Sequence, residues 1–282
     1  ADIIYGGDIA KWKKLAYTLH LKLGIRLADV DASKAQSMIQ ASVSAGIFES
    51  NDDSALFSFI NTEPLWNPIY DYFVFDSRNS DFVATNSAIK LLQDLSDPRV
   101  NVIYDDNIEG GMAGGVYAAE GNSFASLTHL NPAWTNDPTL PGNMMDYSLA
   151  MFDLAEASAR GFISGDAATY YNAGVEASFA YFDISDSAAA YLAANPYDAV
   201  NWKESIGIQK YIASVINPHE AWTESRRLGV PTLAAAASNG VENPKRMTYP
   251  IDEELINTTN VNAASSAMGG DKLSSAIFWD IN

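Results

Sequence analysis

The chain has no cysteine, which excludes disulfides, thiolate metal sites and a cysteine nucleophile within it. Basic residues are scarce: 17 Lys and Arg against 35 Asp and Glu leave a formal net charge of -18. Nucleic-acid affinity depends on Lys and Arg displacing phosphate counterions, so DNA and RNA are poor partners. The same acidity disfavours anionic ligands. No apolar run approaches the roughly 18 residues of a membrane-spanning helix, and the opening "ADIIYGGDIAKWKK" has no apolar centre of a signal peptide. Either the protein is cytosolic, or its export and anchoring signals lie outside this chain.

Catalytic vocabulary is equally thin. The histidines, His20, His129 and His219, are far apart, and no HExxH, GxSxG or P-loop spacing occurs. Paired acids such as Asp52–Asp53 and Asp105–Asp106 supply the residue type a glycosidase needs on either side of a bond, but adjacent loop acids are ordinarily just solvated. No catalytic residues are assigned, and the protein is expected not to be an enzyme. In "DDNIEGG", Asp105, Asn107, Glu109 and Gly110 follow the start of a calcium loop, yet Val116 stands where a bidentate Glu is required. A turn is the default there. Apart from a looser oxygen-ligand calcium site, no cofactor is expected.

What the chain does have is apolar and aromatic content: 48% hydrophobic residues, with 14 Tyr, 12 Phe and 6 Trp in 282 residues. A chain of this size buries roughly 75% of its unfolded surface, and no clear linker divides it, so one domain over 1–282 is expected. From Asp8, Trp12, Leu15, Leu19, Leu23 and Leu27 recur at close to helical spacing and predict a long helix with that stripe facing a core. Asp31 or Ser33 can cap a second helix that stops at Gly46. A similar pair returns over about 143–182, and "IQASVSAGIF" echoes "VEASFAYFDI" with small residues where helices approach closely. Such pairs are the unit of tetratricopeptide-type arrays. A third helical region runs from Trp202 to Leu228, and the tail from 239 on reads as loop.

The stretch over about 50–142 is different: rich in Asn, Asp, Pro and Gly around one helix, "NSAIKLLQDL". Long ordered loops on a helical scaffold are where binding sites tend to sit. Two phrases combine aromatic platforms, which suit the C–H faces of sugars, with amides and carboxylates that suit hydroxyls. "PLWNPIYDYFVF" offers Trp66, Asn67, Tyr70 and Tyr72; "HLNPAWTNDP" offers Asn131, Trp134, Asn136 and Asp137. Trp134 is the first choice for ligand contact. The bland alternative makes "IYDYFVF" an alternating strand, Tyr72 and Val74 on one face and Phe73 and Phe75 on the other.

In "AWTESRRLG", Arg226 and Arg227 occupy a last helical turn, where the helix dipole favours cations by about 0.3–1 kcal/mol when exposed. Gly229 ends the helix and Pro231 prevents its resumption. Arg226, four residues after Trp222, can pack on the indole.

Several blocks, in order, resemble the SusD/RagB family of outer-membrane nutrient-binding lipoproteins, most closely its SusD-like branch. They are "GGDIAKWKKLAYTLHLKLGIRL", "DPR" at 97–99, "DYSLAMFDLAEASARGF", "YYNAGVEAS", "IGIQKYIASVINPHEAWTESRRLGVP" and "RMTYPIDEELINTTNV". Leu149 or its neighbour replaces an early glutamate of the third block. The resemblance implies a mostly α fold, a tetratricopeptide-repeat-like helical scaffold bearing a loop-rich irregular region. It implies capture of an oligosaccharide at the cell surface and delivery to a SusC-like TonB-dependent transporter, without chemistry. A peptide-binding lid of the same fold, a glycoside hydrolase and a cytosolic adaptor are the rivals. Family members are nearly twice as long and begin with a lipoprotein signal and a lipidated cysteine, so this chain looks like the C-terminal part of such a protein, its lipid anchor outside the chain.

Overall fold

The computed structural model describes residues 2–105, 110–116, 119–238, 240 and 243–281. Helix α1 (Ile9–Leu27) starts at Asp8, whose carboxylate accepts from Ala10 N at 2.8 Å and Lys11 N at 3.2 Å. Helix α2 (Ala32–Ala45) is capped by Asp31, which accepts from Lys34 N at 3.0 Å, and stops at Gly46. The buried face of α1 is Thr18, Leu21, Gly24 and Ile25. The expected stripe is therefore corrected: Trp12, Leu19 and Leu23 are exposed, and only Leu15 and Leu27 pack against the core. Leu21 and Ile25 sit i, i+4 on another face, and that face meets Ala35 and Ile39 of α2.

The chain then leaves the helical layer. Strand β1 (Ala55–Phe57) pairs antiparallel with β2 (Gly142–Met145), so this short ladder closes the neck of the loop-rich region. Between them lie α3 (Pro68–Tyr70) running into a π turn, Asp71–Phe75, then α4 (Asn86–Asp94), α5 (Val100–Ile103) and α6 (Pro132–Thr135). The expected helix "NSAIKLLQDL" is α4. Ile89, Leu92, Val100, Ile103 and Tyr104 form a core of their own with Phe182 and Ile212, which fixes the loops to the scaffold.

Helices α7 (Tyr147–Ala159) and α8 (Ala167–Tyr181) are the second pair, capped by Asp146 and Asp166. A Cβ on Gly174 would fall 2.6 Å from Phe152 Cε1, so only glycine permits this approach of α8 to α7. Phe152 and Phe179 are fully buried, each worth roughly 1.5–3 kcal/mol. Helix α9 (Ala188–Ala194) packs on α8, and α10 (Trp202–Ala213) lies against α7 and α8. The third region is thus two helices, α10 and α11 (Pro218–Leu228), because Pro218 lacks the N–H that would continue the first. The pairs α1–α2, α7–α8 and α10–α11 side by side give the mostly helical, tetratricopeptide-like scaffold.

The tail departs from the expected loop: it holds α12 (Ile251–Ile256) and α13 (Thr258–Ala267). It is tied down by Trp222 Nε1 donating to Pro244 O at 2.8 Å and by an Arg246–Asp271 ion pair at 2.5 Å. Arg226 places its guanidinium 3.8 Å from the Trp222 ring centre and 4.9 Å from that of Trp279. Gly229 is left-handed, φ 73°, and ends α11 as the sequence implies. Arg227, in contrast, is not a surface cation. It is buried with Glu156 at 2.5 Å and Glu224 at 2.6 Å, and Lys210 joins Glu224 at 2.5 Å and Asp153 at 2.6 Å. Arg160 extends this network from Glu156, at 2.9 Å, to Asp29, at 2.8 Å. No helix among the described residues is long and apolar enough to cross a membrane.

Candidate functional site

The π turn determines which aromatic rings reach solvent. Asn67 caps α3, which leads into it: its Oδ1 accepts from Ile69 N at 2.7 Å, and its Nδ2 donates to Leu140 O at 2.6 Å. Trp66 Nε1 donates to Asp71 Oδ1 at 2.6 Å. The wide turn closes with Asp76 N on Asp71 O at 2.9 Å. Helical winding replaces the two-faced alternation of a strand, so none of Tyr72, Phe73, Val74 and Phe75 is core. Phe73 stacks on Phe82 with ring centres 5.4 Å apart at 23°, and Tyr72 lies 5.7 Å from Phe82. Trp66, Tyr70 and Phe75 form an adjoining cluster at 5.0–5.5 Å.

The facing wall is built on Tyr104, bridged to Leu130, with Asp105 N donating to His129 O at 3.0 Å. Asn131 caps α6 by accepting from Ala133 N at 2.9 Å. Trp134 turns inward from α6: its Nε1 donates to Val102 O at 2.8 Å, and its ring lies 5.5 Å from Phe182. Pro132, Thr135 and Asn136 are the residues of that segment that line the cleft, Thr135 from a buried position. Asp137 Oδ1 accepts from Thr139 N at 2.8 Å and shapes the following turn. Asn67 N also donates to Pro138 O at 2.7 Å, so the two phrases singled out in the sequence meet in space.

Between the walls lies a cleft of about 410 Å³. Phe73, Val74, Phe124, Leu130 and Pro132 give it apolar surface, and Ser77, Asn79, Asp105, His129, Thr135 and Asn136 give it hydrogen-bonding groups. His129 stacks on Phe124 with ring centres 3.7 Å apart at 13°, holding that ring upright. Among the described residues no lysine or arginine lines the cleft. The arrangement suits a neutral, polyhydroxylated ligand laid against rings.

Of the residues expected from sequence, Asn136 lines the cleft directly and Tyr72 flanks Phe73. Trp66 and Tyr70 stand beside it, while Asn67, Asn131, Asp137 and Trp134 hold the walls. Phe73, Ser77, Asn79, Phe124 and His129 were not singled out. The Ser and Asn of "DSRNSD" were a usable signal; the π turn that brings Phe73 round was not. Asn107 and Glu109 of the calcium-like phrase, and Asp106, lie outside the described residues. Among the described residues no group of three or more His, Cys, Asp or Glu side chains is placed to hold a metal ion.

Residues 1–250 match a family profile described as starch-binding and associating with the outer membrane. The fold superposes on that of a chitin-binding protein with 30% identity and a TM-score of 0.87, covering 100% of this chain and 67% of that one. A SusD homolog from Parabacteroides distasonis gives 28% identity and 0.86, covering 100% and 68%. Another from Bacteroides uniformis gives 25% and 0.87, covering 100% and 67%. The chain thus spans about two thirds of each of these. No curated protein matches it. With the greater part of its length matched by the profile and its whole fold by these structures, the chain belongs to the SusD-like family of starch-binding proteins that associate with the outer membrane.

Proposed function

We propose that the protein captures an oligosaccharide in the cleft between the π turn and α6 and passes it, unmodified, to a SusC-like TonB-dependent transporter. A lipid anchor outside this chain would hold it at the cell surface. The observation that carries this reading is the cleft's lining: rings of Phe73 and Phe124 beside Ser77, Asn79, Thr135 and Asn136, with no lysine or arginine among the described lining residues to select an anion. The chitin-binding relative supports an oligosaccharide over a peptide.

Calorimetric titration with starch-derived and chitin-derived oligosaccharides, and with peptides, tests it. A glycan binds and is recovered intact. Phe73→Ala and Asn136→Ala each weaken it at least tenfold, about 1.4 kcal/mol, with the unfolding midpoint nearly unchanged. Trp134→Ala lowers affinity and stability together, because that ring is part of the packing under the wall. Binding of peptides alone, or glycan binding indifferent to Phe73→Ala and Asn136→Ala, would overturn the substrate class or the site respectively. Hand-off predicts that a TonB-dependent transporter copurifies from the outer membrane in mild detergent; recovery without one removes that part of the proposal.

A further inference from the structure

Six of the seven arginines pair with a carboxylate: Arg26 with Glu220, Arg78 with Asp81, Arg99 with Asp97, Arg160 with Asp29, Arg227 with Glu156 and Arg246 with Asp271. Arg226 has no such partner among the described residues, although acidic residues outnumber basic ones 35 to 17. Its Nε donates to Trp222 O at 3.1 Å and its Nη1 to Lys245 O, while Nη2 has no hydrogen-bond partner among the described residues and is not a buried atom. The rings of Trp222 and Trp279 fix the plane of the guanidinium. Burial lowers its pKa below the ordinary arginine value, and Asp280, acting from beyond ion-pair distance, does not fully offset this. The side chain lines a groove of about 370 Å³ along the end of α11, open to solvent at Gly229 and Thr232. Trp222, Pro231 and Leu233 give the groove apolar surface; Ser225, Thr232 and Asn243 give it hydrogen-bonding groups; no acidic residue among the described residues lines it. Lys245, also in the lining, stands 3.9 Å from Asp280 Oδ1, so the charge left to be matched in the groove is that of Arg226.

We infer that this groove binds a monocarboxylate carried on an apolar body. The edge of a planar guanidinium matches a planar carboxylate in shape and charge. One unmatched positive charge calls for one negative charge: a dianion such as a phosphate monoester would leave half of its charge uncompensated on a protein of formal charge -18. The volume and the apolar surface beside Arg226 suit a ligand larger than a lone ion. Two sources share this chemistry, a free organic acid and the C-terminal carboxylate of a polypeptide. The groove is separate from the glycan cleft and does not depend on its assignment.

The test titrates the full chain with 3-phenylpropionate and with N-acetyl-Ala-Ala-Leu, each as the free acid and as the neutral amide, and with phenyl phosphate, read by saturation-transfer NMR. The expected result is saturable binding of at least one free acid with half-saturation at or below about 5 mM, as for ligands of this size. Its amide binds at least about tenfold more weakly, since it keeps the shape and loses the charge. The tighter of the two acids names the source. Arg226→Met lowers the affinity at least about tenfold. Circular dichroism checks folding; if Arg226→Met does not fold, Thr232→Glu serves in its place, because a fixed carboxylate at that exposed rim position competes for the guanidinium and lowers the affinity as much. Binding of both acids that is linear to about 10 mM, equal for acid and amide, matched by phenyl phosphate, or unchanged in the folded variant overturns the inference.

Discussion

Arg227→Met is expected to cost about 3–5 kcal/mol of folding stability, the usual cost of removing one partner from a buried ion pair. Methionine roughly keeps the volume but leaves Glu156 and Glu224, 0% and 1% exposed, facing each other's charge through Lys210 and Arg160 alone. Urea unfolding measures the cost as a shift in midpoint; a loss below about 1 kcal/mol would mean that the network is ornamental. Adding Glu224→Gln to the variant should restore part of the loss, because one uncompensated charge is removed.

The same residue controls the acid limb. Burial pushes Glu156 and Glu224 upward, but the Arg227 charge outweighs it and leaves both below the ordinary 4.5, Glu224 well below. A lowered folded pKa means that the unfolded chain binds protons first. The pair's stabilisation is therefore fully present above about pH 4.5 and is lost as pH falls through the folded values. Asp153 has the opposite sign, since burial raises it despite Lys210, and offsets a part of that loss. In Arg227→Met the opposing charge is gone, so the deficit relative to the parent should shrink as pH is lowered from 7 towards 4. A deficit that stays constant over that range would contradict this account.

Arg99→Met is expected to be comparably severe, about 3–5 kcal/mol. Arg99 is 0% exposed; it donates to Asp97 at 2.5 Å, to Ser178 Oγ at 2.9 Å and to Gln209 Oε1 at 2.7 Å. Its guanidinium lies 4.9 Å from the Phe179 ring centre and 5.5 Å from that of Tyr191. One planar cation therefore ties the base of the loop-rich region to α8, α9 and α10. Lysine offers a point charge and cannot fork to Asp97, Ser178 and Gln209 together, so Arg99→Lys should lose about 2 kcal/mol or more. Hydrogen exchange distinguishes this residue from Arg227: amides of α4 and α5 should lose protection before those of α1 and α2. Full stability in Arg99→Lys would show that charge alone matters there.

These two arginines also show how far the sequence could be read. The long helix beginning at Asp8, the cap at Asp31 (one of two candidates, with Ser33), the stop at Gly229 and the two helix pairs follow from local chemistry, and they were legible. The buried role of Arg227 was not. Arg226 and Arg227 look alike in "ESRRLG", and only the packing of α11 on α7 and α10 sends one inward to Glu156 and the other outward between indoles. "DPR" was legible as a family block, but nothing local shows that Arg99 reaches residues 79 and 110 positions away. The α1 stripe failed for a related reason: the helix is apolar on more than one face, so periodicity does not say which one is covered. In the loops, the sequence located the two phrases that meet at the cleft. It left the winding of "IYDYFVF" open, with a strand as the alternative, because a π turn and a strand are both compatible with the same aromatic run.

Under the proposed function, the lack of lysine and arginine among the described residues that line the cleft has a kinetic consequence. A neutral oligosaccharide feels no long-range pull from a surface of formal charge -18, so its capture is unsteered. Association should proceed at the same pace in fresh and salty surroundings, since no screened attraction is there to be lost. Under the proposed function, discrimination among glycans would then reside in how long each one stays against Phe73 and Phe124, and the dissociation rate would become the quantity on which selection can act.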